Sequence, residues 1–112
     1  MANKKPNKQL VFLITTGAAG TGQTDAACAV KGGLTGKVTQ IEYITDSQRT
    51  FDDGACFEFT GALTQTPIFQ VEDVNDRMTW AIDGPELDGE PVRCVVSKAG
   101  NGKVGSFVVT CK

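Results

Sequence analysis

Apolar and polar residues alternate with a period of two along several short segments, the pattern of strands that bury one face. The clearest example covers residues 38–45, where Ile41 and Tyr43 share a face and the polar Glu42 falls on the other. Comparable segments cover residues 10–16, 56–60, 68–74 and 78–82, and two more precede and follow Asn101-Gly102. This alternation predicts that the core includes Phe57, Phe59, Phe69, Val71, Trp80 and Ile82.

Turn-forming residues separate these segments. The predicted turns are Asp52-Asp53-Gly54, Asp83-Gly84-Pro85, Asp88-Gly89-Glu90-Pro91 and Asn101-Gly102. Glycine and proline supply the backbone angles that tight turns require. We therefore predict an all-β fold, a small antiparallel two-sheet sandwich or barrel of about seven strands. It has at most one short helix, near residues 24–30, where Thr24 is the candidate cap.

The size and composition fit one globular domain. The chain has 112 residues, of which 40% are hydrophobic and 21% charged, and 13 are glycines. No segment approaches the run of about 18 apolar residues that a membrane span needs, so we expect no membrane contact. Lys4, Lys5 and Lys8 precede a short apolar run that is brief for a signal peptide. We divide the chain into a basic N-terminal arm, residues 1–9, and a β domain, residues 10–112.

Four cysteines, Cys28, Cys56, Cys94 and Cys111, are widely spaced, and neither a Cys-x-x-Cys pair nor a histidine accompanies them. Structural zinc sites normally use closely spaced ligands, so we predict no metal site. Two disulfides are expected if the protein matures in an oxidising compartment. Four buried thiols are expected if it stays in the cytosol.

A hairpin around Asn101-Gly102 would decide how the cysteines pair. A two-residue turn places Cys94 opposite Val109, whereas a four-residue loop from Asn101 to Val104 places it opposite Cys111. We take the second register. It predicts a Cys94–Cys111 bridge and leaves Cys28 to pair with Cys56, although sequence alone does not fix the connectivity.

Two glycine-rich segments look like nucleotide-binding loops. Residues 16–22 resemble the cofactor loop of short-chain dehydrogenases, but the spacing is one residue short and no Tyr-x-x-x-Lys follows. Residues 32–37 resemble a phosphate-binding loop, but Val38 stands where that loop needs Ser or Thr. We interpret the first as a flexible loop and the second as a turn before a strand, and we predict no cofactor.

The titratable residues do not form a recognisable catalytic set. The chain has no histidine, the side chain that most often acts as a general base near neutral pH. Acids are concentrated between Asp83 and Glu90, where hard oxygen ligands suit Ca²⁺, although the spacing is not that of an EF-hand. We interpret this segment as a solvated acidic loop and predict that the protein is not an enzyme.

Charge is unevenly distributed along the chain. Residues 1–39 carry five Lys and one Asp (+4), residues 40–90 carry two Arg and twelve acids (−10), and residues 91–112 carry three Lys and one Arg (+4). If residues 1–16 pack near residues 91–112, the basic ends and acidic middle form separate surface regions. Such regions suit contacts between identical subunits.

We therefore expect a structural subunit that assembles with itself or with a larger protein shell. Minor coat, decoration and fibre proteins of virus-like particles are examples, and the location would be a virion or extracellular. The expected interface includes Lys4, Lys5 and Lys8, which also permit weak contact with nucleic acid phosphates. The alternative is a secreted, disulfide-braced binding module, such as an inhibitor or a toxin-like effector.

Overall fold

The computed structural model describes residues 8–17, 27–45 and 48–112. The strands are β1 (Gln9–Thr15), β2 (Ala27–Thr45), β3 (Ala55–Gly61), β4 (Pro67–Val74), β5 (Met78–Ala81), β6 (Glu86–Ser97) and β7 (Val104–Cys111). All the strand pairs are antiparallel, and the described ranges contain no helix. The prediction of an all-β antiparallel fold with about seven strands is confirmed.

The seven strands belong to one sheet, with the order β1-β7-β2-β6-β3-β4 and with β5 attached to β2. Strand β2 is 19 residues long and takes part in two regions of the sheet. Its second half pairs with β7 and β5, whereas its first half pairs with β6. We call β1, β7, β5 and residues 38–45 the first layer, and β6, β3, β4 and residues 27–37 the second layer.

These two layers pack face to face around a cluster of aromatic rings. Phe107 lies on β7 and Phe57 on β3, and their ring centroids are 4.9 Å apart. Tyr43 on β2 meets Phe57 at the same separation. Because β2 and β6 separate β7 from β3 in the strand order, these contacts require the sheet to fold over on itself. The core lies between the two layers.

All six predicted core residues contribute to this core. Phe57 and Phe59 are fully buried. The other four are partly buried and pack against the buried cluster: Phe69, Val71, Trp80 and Ile82. The alternation of apolar residues therefore identified the correct face of β3, because a strand with one buried face must alternate in this way.

Glycines allow β2 and β6 to bend near the middle of β2. The register between these two strands shifts between Lys31 and Leu34 and again between Leu34 and Gly36. Gly36 has a φ of 121°, and a Cβ atom on Gly33 would lie 3.1 Å from the carbonyl oxygen of Gly89. Such irregularities are β-bulges, which bend a strand and often use glycine.

Two predicted turns are therefore wrong, because residues 32–37 lie inside β2 and residues 88–91 lie inside β6. Glycine, aspartate and proline are typical of tight turns, but glycine also marks β-bulges within continuous strands. The two segments face each other across the β2–β6 pair. Local composition predicted that the strands end at these residues, whereas in the structure the strands bend there and continue.

The candidate helix near residues 24–30 is also wrong where the structure describes it. Residues 27–30 form the beginning of β2, and residues 24–26 lie outside the described residues. Ala27 pairs with Val96 of β6, and the next four residues continue this ladder. Pairing with a neighbouring strand outweighs the local tendency of this segment, as strand formation commonly depends on tertiary context.

The predicted C-terminal hairpin is wrong as well. Strands β6 and β7 are not neighbours, because β2 lies between them. Cys94 is paired with Phe59, and Cys111 is paired with Val38. Asn101-Gly102 does form a turn, but the connection carries the chain from the second layer to the first. The turn residues predicted a reversal, and they contain no information on which strands it joins.

Candidate functional site

Strand β1 forms one end of the strand order, and β7 is its only partner among the described strands. The register runs without a shift from Gln9 opposite Thr110 to Thr15 opposite Val104. The two terminal strands of the chain therefore lie side by side. The expected proximity of residues 1–16 and 91–112 is confirmed for β1 and β7.

Backbone hydrogen bonds at both ends of β1 establish which residues face β7. The carbonyl oxygen of Lys8 accepts a bond from Cys111 N–H at 2.7 Å, and Thr16 N–H donates to the Lys103 carbonyl at 2.9 Å. In an antiparallel ladder only alternate residues bond to a given neighbour, so the even-numbered residues face β7. The odd-numbered residues direct their N–H and C=O groups to the opposite edge, where the described residues place no strand. They are Gln9, Val11, Leu13 and Thr15.

Apolar side chains cover the outer face of the sheet beside this edge. Val11 and Leu13 are 64% and 61% exposed. They lie opposite Val108 and Ser106 of β7, and Ile44 of β2 lies opposite Ser106 on the other side. Ile44 is also exposed. We call Val11, Leu13, Ile44 and the half-buried Val108 the β1 patch, because grouped exposed apolar residues mark interaction surfaces.

The other end of the strand order is constructed differently. Strand β4 carries Gln70, Glu72 and Asp73, and Asp73 has a positive φ of 58°. Its register with β3 shifts twice, and it begins at Pro67, which has no backbone N–H. Charged side chains, bulges and proline are the features by which proteins prevent an edge strand from pairing with another chain. Strand β1 has none of them, as its seven residues are uncharged and its register is regular.

The four cysteines are all free, so neither predicted bridge is present in the structure. Cys94 and Cys111 are buried, Cys56 is half-buried and Cys28 is exposed. Strand β6 separates Cys28 on β2 from Cys56 on β3. Burial raises the pKa of the Cys94 thiol and also that of the Cys111 thiol. Thiols in such surroundings are unreactive and pack as small apolar side chains.

The acids between Asp83 and Glu90 lie partly in a strand rather than in the predicted loop. Asp83, Glu86 and Asp88 are solvent-exposed, as predicted, and Glu90 is not. The Asp83 carboxylate forms an ion pair with Lys37. This contact, a hydrogen bond first and a charge interaction second, lowers the pKa of Asp83. Strand β6 begins at Glu86, and the Glu90 side chain is buried. Pairing with β2 draws residues 86–90 into the sheet, and only Glu90 among the four acids is buried there.

Glu90 holds the loop between β3 and β4. Its carboxylate accepts hydrogen bonds from Thr64 N–H at 2.9 Å, from the Thr64 hydroxyl at 2.7 Å and from Leu63 N–H at 3.2 Å. The bonds from Thr64, followed by the one from Leu63, lower the pKa of Glu90. Gly61 makes room for this carboxylate, since a Cβ atom there would overlap Glu90 Oε2. The Glu90 carboxylate therefore stabilises the conformation of this loop through its hydrogen bonds.

Two ion pairs connect the basic ends of the sequence to its acidic middle. Lys37 pairs with Asp83, and Lys103 Nζ lies 3.5 Å from Asp52 Oδ1. Each pair joins a lysine of a basic segment to an aspartate of the acidic segment. The expectation that these charges form separate regions is therefore wrong for these four residues, because folding brings them together within one subunit.

The remaining predicted site residues fall partly outside the described chain. Lys8 is exposed at the start of β1, whereas Lys4 and Lys5 lie outside the described residues. Of the glycine-rich segment 16–22, only residues 16 and 17 are described. Strand β1 begins at Gln9, and the arm of residues 1–9 stays a prediction.

The described surface offers little for a small ligand. A hollow of about 230 Å³ lies on the outer face of the second layer, where Cys56, Glu58 and Glu72 contribute to its lining. Three further open hollows have volumes of about 370, 340 and 300 Å³, so they only reach the lower end of the roughly 300–1,000 Å³ range of ligand pockets. Within residues 8–17, 27–45 and 48–112, no three Cys, Asp or Glu residues converge as a metal site requires. The same ranges contain no helix long and apolar enough to cross a membrane.

Sequence reasoning missed the β1 edge, although a signal for it was present. The run from Leu10 to Ile14 is apolar at every position, so both faces of this strand are hydrophobic. A strand buries both faces only where other layers cover the sheet on both sides, and nothing described covers the outer face of the first layer. The tertiary structure therefore decides that one face of this run is exposed and that its edge has no described partner.

In comparisons with known proteins, neither a family model nor a curated protein matches this sequence.

Proposed function

We propose that this chain is a non-enzymatic structural subunit that assembles with copies of itself, as minor coat, decoration and fibre proteins of virus-like particles do. In that setting it would be located in a virion or in the extracellular space. The observation that carries the proposal is the edge at β1, where an uncharged, regular strand exposes Val11 and Leu13.

The contrast between the two ends of the sheet supports this proposal. An exposed, flat and hydrophobic edge strand promotes association with other chains, and monomeric proteins normally prevent this with charges or bulges. Strand β4 carries such protection through Glu72, Asp73 and its shifted register. Of the two strands that end the strand order, β4 is protected and β1 is not, which suits controlled assembly through β1.

Apolar and backbone contacts therefore replace charge as the proposed basis of assembly. In the ion pairs Lys37–Asp83 and Lys103–Asp52, charges of the basic and acidic segments pair with each other within one subunit. Contacts between exposed charges weaken in salt, because the Debye length falls to about 3 Å at 1 M. Apolar contacts are not screened in this way. The effect of salt on assembly distinguishes the two mechanisms.

The alternative, a secreted binding module braced by two disulfides, has less support. It depends on bridges between cysteines that are free here, and Cys94 and Cys111 lie on strands that do not pair. Contact between nucleic acid and the basic arm stays a prediction, because Lys4 and Lys5 of this arm lie outside the described residues.

Sedimentation velocity across a range of protein concentrations tests the proposal. We expect self-association that increases with concentration and persists at 1 M NaCl. A monomer at every concentration, in low and high salt, would rule out a self-assembling subunit. Association in low salt that disappears in high salt would show that charge drives assembly.

A further inference from the structure

We propose that two copies of this chain join by antiparallel pairing of their β1 strands, with a two-fold axis at Phe12. This inference rests on the proposed function, since it specifies the contact through which the subunit assembles. The partner is a second copy because the edge matches itself when it is reversed. Its seven residues have polar ends, Gln9 and Thr15, and an apolar centre.

The direction of the backbone groups that no described strand pairs determines the register. The residues whose N–H and C=O groups point away from β7 are Gln9, Val11, Leu13 and Thr15. In antiparallel pairing, two such residues opposite each other exchange both of their hydrogen bonds. When Phe12 lies on the axis, Val11 faces Leu13 of the second copy and Gln9 faces Thr15 of that copy. All four residues are then bonded, whereas a shift by two residues leaves one of them without a partner.

The side chains agree with this register. Val11 and Leu13 lie on the outer face of the first layer, and a two-fold axis perpendicular to the sheet keeps both copies' outer faces on the same side. The two β1 patches then form one apolar surface. Phe12 is buried on the inner face at the axis, where its ring already packs on Phe107 at 5.6 Å. The combined sheet has the order β2-β7-β1-β1-β7-β2 at its centre.

A proline substitution tests whether the backbone at this edge pairs. The N–H of Leu13 points away from β7, so Leu13→Pro removes an edge donor without removing a bond to β7. We expect at least a tenfold increase in the dimer dissociation constant by sedimentation velocity. Leu13→Thr retains the N–H and isolates the loss of the apolar side chain. Val30→Thr, at a 51% exposed position on β2 in the second layer, is the matched control and should leave the constant unchanged.

Engineered cysteines test the register itself, in a Cys28→Ser background that removes the exposed native thiol. Residues facing each other in this way have Cα atoms about 5.5 Å apart, which is within the range of a disulfide. Mixing the Val11→Cys protein with the Leu13→Cys protein under oxidation should give a cross-linked heterodimer. Either protein alone, and the background protein, should give little cross-linking.

The outcomes separate this inference from the proposed function. If the unmodified protein self-associates, Leu13→Pro is folded by circular dichroism and still associates, and the mixed cysteines do not cross-link, the β1 contact is wrong and assembly uses another surface. If the unmodified protein is monomeric throughout, both the inference and the proposed function fail. If Leu13→Pro does not fold, the cysteine mixture decides the register by itself.

Discussion

Replacing Phe107 with alanine should destabilise this domain more than any other single aromatic truncation. Its side chain is fully buried at the centre of the core. Its ring lies 4.9 to 6.3 Å, between centroids, from five other rings. They are Phe12 and Tyr43 of the first layer, Phe57 and Phe59 of the second, and Phe51 of the segment between β2 and β3. Removing Phe107 therefore weakens the contact that holds the two layers together.

The expected loss follows from the burial of Phe107 and from these ring contacts. Transfer of a fully buried phenylalanine side chain accounts for about 1.5–3 kcal/mol, and the cavity left between the layers adds to this. Phe→Ala substitutions in cores cost about 3–5 kcal/mol in total. Because many aromatic partners surround the site, we expect a loss near the upper end, which is a large part of a typical stability of about 5–15 kcal/mol.

Urea denaturation followed by tryptophan fluorescence measures this loss. For a slope of about 2 kcal/mol per M, the midpoint should fall by about 2 M. Phe69→Ala is the matched control, because Phe69 is only partly buried and its ring pairs with Trp80 alone among the described rings. We expect that control to cost about 1–2 kcal/mol. Equal losses for the two variants would refute the role assigned to Phe107, and Phe107→Leu gives the comparison if the alanine variant does not fold.

Three further predictions concern single groups. In the native protein, a maleimide reagent should label Cys28 within minutes, whereas Cys94 should react only after unfolding. Peptide mass mapping identifies the labelled cysteine, and rapid labelling of Cys94 would contradict its burial. Burial raises the pKa of Tyr43 from 10.0 to about 12. The contribution of neutral Tyr43 to the free energy of unfolding should therefore be fully present below pH 10 and fall by about 2–3 kcal/mol between pH 10 and 12. Urea titrations in this alkaline range should show a smaller fall for Tyr43→Phe. The pKa of Glu90 is lowered, so its contribution should be present at neutral pH and lost as the pH falls through the acidic range. Glu90→Gln should therefore lose stability at pH 7 but differ little from the unmodified protein near pH 2. Gly61→Ala should lose stability at pH 7 as Glu90→Gln does. A loss for Glu90→Gln that is equal at both pH values would exclude the charge as its cause.

The sequence by itself determined the class of the fold and much of the core. Alternation with a period of two follows directly from strand geometry, so it identified Phe57 and Phe59 as inward-facing and placed Ile41 and Tyr43 on one face without knowledge of their partners. Turn residues such as Asn101-Gly102 act locally, which is why this turn was predicted correctly.

Only the tertiary structure decided which strands pair and where the sheet ends. The same glycine-rich composition fits a turn or a bulge, and the choice within β2 depends on its pairing with β6. Gly105 shows the same dependence, since a Cβ atom there would lie 2.5 Å from the Phe51 ring, a residue far away in the chain. The cysteine pairing failed because β2, an early strand, lies between β6 and β7.

The candidate site depends most strongly on this long-range order. Val11 and Leu13 would be core residues if another layer covered the outer face of β1, and they are exposed because nothing described covers that face. Hydrophobicity is encoded residue by residue along the chain. Exposure is set by the packing of all the strands together, because burial depends on neighbours that are distant in sequence.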